Sequence, residues 1–196
     1  MQRIGRLIRI IVQFFLDIVE TVVVGLAMFV VIYLFLVQPH QVNGNSMWPN
    51  FLDGEYLLTD KFSYRLREPK RGDVIIFLAP SGAHCPQELH CDFVKRIIGL
   101  PGERIVITEG KVFVNGTQLT EAYLPNDPSF ETTTATNSPM DITLKENEYF
   151  VLGDNRSHSS DSRAWGVVPK DNIVGRAWLR YWPPRRVGFI AEAAYR

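Results

Sequence analysis

Cysteine and histidine are scarce in this chain, with two of the first and four of the second in 196 residues. Two thiols allow at most one disulfide. The histidines, His40, His84, His90 and His158, sit in polar, loop-like or Ser/Arg/Asp-rich stretches. None falls in a recognisable triad pattern, so no imidazole stands out as a base for a nucleophile. Net charge is lacking too. Lys+Arg and Asp+Glu both number 21, which gives no electrostatic reason to expect nucleic acid as a partner. No internal repeat is visible. Charge is absent altogether from residues 21–37, TVVVGLAMFVVIYLFLV.

That uncharged run is at the lower end of what crosses a bilayer. Ile10, Ile11, Phe14, Phe15 and Ile18 extend its apolar character upstream, and Asp17 and Glu20 stand near its start. No other helix in the chain could cover so uniformly apolar a surface, which argues against a buried core helix. The expected division is a cytoplasmic segment 1–17, a transmembrane helix 18–37 and an outer domain 38–196. Arg3, Arg6 and Arg9 precede the span, and no Lys or Arg comes after it until Lys61. The positive-inside rule therefore puts the N-terminus in the cytoplasm and the remainder outside. The stretch QPHQVNGNS after the span offers no small-x-small cleavage site, so the segment reads as an uncleaved signal-anchor.

The outer domain is rich in Val, Ile, Phe and Tyr and is punctuated by Gly and Pro. Strand character appears at residues 56–59, 73–79, 93–98, 104–108, 111–115, 148–152 and 173–181. Glu109-Gly110 and Asn115-Gly116 are hairpin signals. The expected fold class is mostly β, an antiparallel sandwich or partly open barrel behind one N-terminal transmembrane helix. Residues 121–140 are Thr-, Ser-, Asn- and Pro-rich with little to bury, and read as an exposed insertion loop or a small lobe. Cys85 and Cys91 lie in CPQELHC. An outer compartment permits a disulfide between them. With His84 and His90 they could instead form a metal site, or they could remain free thiols.

Ser46 lies just beyond the span, and a lone serine is usually structural or solvated. Lysine can act as its base only where burial lowers a pKa that is otherwise about 10.4. Phe93-Val94-Lys95-Arg96-Ile97-Ile98 offers such a setting. In a strand, Phe93, Lys95 and Ile97 share one face while Val94, Arg96 and Ile98 share the other. A buried arginine stays charged and needs a partner, whereas a buried lysine can be neutral. From this strand alone, a surface lysine with its stem laid along apolar neighbours is the favoured reading.

Four motifs in order settle the choice by resemblance. Ser46-Met47-Trp48-Pro49, Gly72-Asp73-Val74-Ile75-Ile76-Phe77 and Lys95-Arg96-Ile97-Ile98-Gly99-Leu100-Pro101-Gly102-Glu103 are the first three. Gly153-Asp154-Asn155-Arg156, followed by Ser159, Asp161-Ser162-Arg163 and Trp165-Gly166, is the fourth. Together they resemble the bacterial type I signal peptidases. The resemblance implies a serine endopeptidase in which Ser46 attacks and Lys95 takes its proton. It implies that the Ser159 hydroxyl orients the lysine and that Asp161 and Arg163 form an ion pair beside the site. It also implies a single-pass protein of the plasma membrane that removes signal peptides from exported preproteins after a small-x-small sequence. Partners are then those preproteins and the lipid bilayer, and no metal or organic cofactor is implied. Gly44 departs from the serine, Asn50 from the threonine and Glu103 from the aspartate that relatives carry.

Nine residues separate Val37 from Ser46, which limits Ser46 to roughly 30 Å from the end of the span. Met47, Trp48 and Phe51 suit either the membrane interface or the core. Residues 41–45 and the strand beginning at Asp73 are the candidate edges for an extended substrate.

Overall fold

The structure, a computed structural model, describes residues 2–195 apart from 81, 84, 86–90, 135–137 and 194. It divides into two units, Met1–Gln38 and Pro39–Arg196. The first is a helix, α1 (Gln2–Phe35). Its stretch Arg9–Tyr33 is long and apolar enough to cross a membrane, and none of that stretch is buried by protein. An all-round apolar surface of this kind is satisfied by lipid. The helix ends two residues short of the expected boundary because Val37 already belongs to a strand.

The second unit is built on two sheets. The strands are β1 (Val37–Gln41), β2 (Tyr56–Asp60), β3 (Val74–Leu78), β4 (Asp92–Gly99), β5 (Arg104–Thr108) and β6 (Lys111–Val114). They continue with β7 (Thr117–Gln118), β8 (Met140–Thr143), β9 (Glu148–Leu152), β10 (Val168–Pro169), β11 (Ile173–Trp182) and β12 (Gly188–Phe189). Two one-turn helices, α2 (Ser63–Leu66) and α3 (Ser162–Trp165), interrupt them. The larger sheet runs β1-β2-β11-β3-β4-β9-β10, with β12 on β11, and the smaller runs β7-β6-β5-β8. The strand pairings are antiparallel.

The local chemistry accounts for these elements. Val74, Ile75, Ile76 and Phe77 are all buried, the mark of a central strand covered on both faces. Ile75 and Phe77 pack with Ile97 and Val151 on one side. Val74 and Ile76 pack with Val42, Met47, Phe51 and Leu57 on the other. A third cluster joins the smaller sheet to β4 and β9 through Ile98, Ile105, Ile107, Phe150 and Leu152. Both predicted hairpins form, with positive φ at Glu109 and Gly110 and at Asn115 and Gly116, as type I′ turns require.

One expectation changes and two gain detail. The strand from Asp73 is no edge, because β3 pairs with β4 on one side and β11 on the other. Met47 and Phe51 are core, while Trp48 is 44% exposed and stacks on Phe130. The 121–140 segment is no free loop. Phe130 and Thr132 are buried, and Met140 opens β8, which pairs with β5. Its polar composition hides these anchors, because a few well-placed side chains suffice to dock a Thr-rich stretch. Residues 135–137 of it lie outside the described residues.

Candidate active site

Lys95 is the fourth residue of β4 and is 5% exposed. It faces the same side as Phe93 and Ile97, with Ile75 as its cross-strand neighbour. Its Nζ lies 2.8 Å from Ser46 Oγ and 3.2 Å from the Val94 carbonyl oxygen. Among the described residues no carboxylate pairs with it. Burial pushes the amine down to about 8, against the weaker upward pull of the Asp161 and Asp154 charges. A lysine in this state is neutral often enough to accept a proton at near-neutral pH.

Arg96, the next residue, takes the opposite course. It is 3% exposed, and its guanidinium makes a bidentate pair with Asp154 at 2.8 and 2.6 Å. Burial alone would push the guanidinium down, but the Asp154 charge and hydrogen bonds outweigh it and push it up. Both cations of the strand are therefore buried, and only the arginine has a counter-ion.

The turn that carries Ser46 is held from behind by residues 153–156. Asn155 donates its backbone N–H to the Ser46 carbonyl at 3.0 Å and its side-chain amide to the Asn45 carbonyl at 3.0 Å. Asn50 donates to Asp154 at 2.9 Å and to the Tyr123 carbonyl at 3.1 Å. Gly153 is required at its position, since a Cβ there would collide with the Ser46 carbonyl oxygen and with Ser159 Oγ. Gly44, at φ +84°, gives its N–H to Asp53 at 2.7 Å.

Asp161 and Arg163 form their ion pair at 2.7 Å, and Asp161 also accepts from the Gly153 N–H at 3.0 Å. Ser159 Oγ is buried without a hydrogen-bond partner. The lysine–Ser159 bond that the resemblance implies is therefore not formed here, because the amine is turned to Ser46 and Val94. Cys85 and Cys91 are joined as a disulfide with their Cα atoms 6.1 Å apart. His84 and His90 lie outside the described residues. His158 bonds Ser157, and His40 bridges Thr59 and Asp92.

A groove of about 370 Å³ leads to the pair, lined by residues 41–43 on one side and 91–95 on the other, with Met47 and Ser160. Beyond Arg96, β4 pairs with β9. Its first half has β3 on one side only, and the groove runs along the other. The open edge thus lies on β4 and not on β3, a distinction hidden in the sequence because an apolar run marks a strand without revealing its neighbours. Arg96, Asp154 and Asn155 matter more than sequence reasoning allowed. The signal was the adjacency of two cations in an apolar strand, one of which had to find an acid.

A serine hydroxyl held by a buried amine, at the head of a groove with an open strand edge, is the architecture of a peptidase. The family model described as signal peptidase, peptidase S26, matches residues 15–182. The probable signal peptidase I-2 of Synechocystis sp. is 37% identical over 181 residues, 92% of this chain and 79% of that protein. Signal peptidase I of Leptolyngbya laminosa is 37% identical over 172 residues, 87% of this chain and 81% of that one. A crystal structure of a signal peptidase I from Enterococcus faecalis aligns at a TM-score of 0.42 and 36% identity, covering 56% of this chain and 97% of that one. The chain belongs to the signal peptidase family, peptidase S26.

Proposed function

We propose that this protein is a membrane-anchored serine endopeptidase that removes signal peptides from exported preproteins, with Ser46 as nucleophile and Lys95 as general base. The observation that carries this reading is the 2.8 Å contact between Ser46 Oγ and a buried lysine that has no counter-ion among the described residues. Ser46 Oγ attacks the scissile carbonyl carbon as its proton passes to Lys95 Nζ. The tetrahedral intermediate collapses when the C–N bond breaks and Lys95 returns the proton to the leaving amine. Water, deprotonated by the same amine, then hydrolyses the acyl-enzyme. The Ser46 backbone N–H, which has no hydrogen-bond partner among the described residues, is the donor for the oxyanion. Gly44 is unsuited to that task because Asp53 already takes its N–H. Ser159 serves to orient the lysine. Its buried, unpartnered hydroxyl supports that role, since such a group is retained at a cost.

The substrate binds extended along the open half of β4, where free backbone groups can add a strand. Its small side chains at alternate positions point the same way and fit a groove floored by Val42, Met47 and Val94. The arginines before the α1 span argue for a cytoplasmic N-terminus and a catalytic unit outside the plasma membrane. The test is cleavage of a preprotein carrying an Ala-x-Ala site, by wild type and by Lys95→Ala. Cutting after that site by wild type only is expected. A folded wild type that leaves the preprotein whole would refute the substrate class, and an active Lys95→Ala would refute the base.

A further inference from the structure

Ala193 and Tyr195 pack against the support of the nucleophile turn. Tyr195 makes an antiparallel bridge with Glu121. Its ring packs edge-to-face on Tyr123, with centroids 5.8 Å apart. It closes on Gly72 so tightly that a Cβ there would lie 2.8 Å from the Tyr195 ring and 2.9 Å from the Ala193 methyl. The Tyr195 hydroxyl is buried without a hydrogen-bond partner of good geometry among the described residues.

Tyr123, on which that ring packs, contacts the two arginines of the catalytic unit that are buried, Arg96 and Arg156. The Arg96 guanidinium lies 4.2 Å from the centre of the Tyr123 ring, pairs with Asp154 and donates to the Gly72 carbonyl at 3.0 Å. Arg156 pairs with Glu121 at 2.7 Å and donates to the Tyr123 hydroxyl and the Gly153 carbonyl. Tyr195 thus touches Glu121, Tyr123 and Gly72, each of which holds one of the arginines. Both arginines tie down residues 153–156, and Asn155 of that segment grips Ser46 by its carbonyl.

We infer that Tyr195 is a positioning residue for the Ser46 turn, acting through Tyr123 and the two buried arginine pairs. The chemistry favours it. Tyr195 packs on Tyr123 and closes against Gly72, and Tyr123 in turn contacts both arginines. With the ring gone, Tyr123 and Gly72 lose a packing partner, the arginine pairs and residues 153–156 loosen, and Ser46 loses its fixed distance from Lys95. A misplacement on the order of 1 Å at a reacting atom lowers turnover by one to two powers of ten.

This inference rests on the peptidase reading above, so its test has one readout that needs no turnover. Full-length Tyr195→Ala, Tyr195→Phe and wild type are compared, well below their melting temperatures, by backbone hydrogen exchange over residues 42–52. In parallel, kcat per active site, titrated with an acylating probe, and KM are measured on the Ala-x-Ala preprotein. Tyr195→Ala is expected to speed exchange in that segment and to lower kcat about tenfold or more, with KM within about twofold. Tyr195→Phe is expected to restore both. Unchanged exchange would overturn the coupling. Faster exchange with a wild-type kcat per titrated site would overturn the positioning role and leave Tyr195 a stability residue. A wild type that cuts nothing would refute the peptidase reading, while the exchange data would still decide whether Tyr195 holds the Ser46 turn.

Discussion

Lys95 carries two consequences of one burial. Activity is expected to rise with pH and to level off above an inflection near 8, where burial has brought the amine. A profile flat from about pH 6 to 9 would remove the lysine as base. Ser46→Ala and Lys95→Ala should both abolish cleavage, and Lys95→Arg should be equally inactive, since a guanidinium keeps its proton. Stability also responds to pH. The folded state holds the lysine proton less tightly than the unfolded state, where the amine has its ordinary value of 10.5. Between about 8 and 10.5 the unfolded chain therefore binds more protons, and stability gains as pH rises through that window. Below it, the full cost of a buried charge is present. Lys95→Met should be inactive yet more stable than wild type near neutral pH, by on the order of 1 kcal/mol. The gap should narrow when denaturation is repeated at about pH 10. The neighbouring acid behaves differently: Asp154→Ala would strand a buried guanidinium and is expected to cost about 3–5 kcal/mol in a denaturant titration.

The strand and the turn are where sequence reading succeeds and fails. β4 is legible because its cations interrupt an apolar run, and the two hairpins because Glu-Gly and Asn-Gly tolerate positive φ. Short strands such as β7, β10 and β12, with two residues each, carry too little periodicity to be seen. Strand order is illegible for a different reason. Residues distant in sequence decide which edge of β4 is left open, and nothing in the apolar run of β3 shows that both its edges are taken. The grip of Asn155 on Ser46 joins residues far apart in the chain and leaves no local trace. At this scale, Gly153→Ala is expected to abolish cleavage, because the added methyl would displace the Ser46 carbonyl. Reaction with a preprotein and the melting temperature would together show the displacement. Cys91, bonded to Cys85, immediately precedes β4. Mass analysis after thiol blocking should find both cysteines protected until reduction.

For the molecule as a whole, the two units differ in how they treat apolar surface. The helix exposes apolar side chains along its length, whereas the unit Pro39–Arg196 contains three hydrophobic clusters of its own. Removing residues 1–35 is expected to abolish partition into liposomes in a flotation assay while the melting temperature of the remainder changes little. The apolar helix is the most legible feature of the chain, since hydropathy is a local property. The Ser46–Lys95 pairing needs the resemblance as well as the residues, because a buried lysine and a surface one look alike in sequence.

The adjacency of Lys95 and Arg96 on β4 also governs how errors in folding are handled. A strand sends consecutive side chains to opposite faces. A slip of β4 by one residue against β3 that moved Arg96 into the place of Lys95 would present the permanently charged guanidinium to Ser46 and leave Asp154 facing the apolar side chain of Ile97. The same slip would turn Ile97 and Ile98 onto each other's faces. Catalysis and core packing therefore depend on a single alignment. A chain folded out of register gives no partly active protease on the membrane, only one that is silent and exposed to degradation.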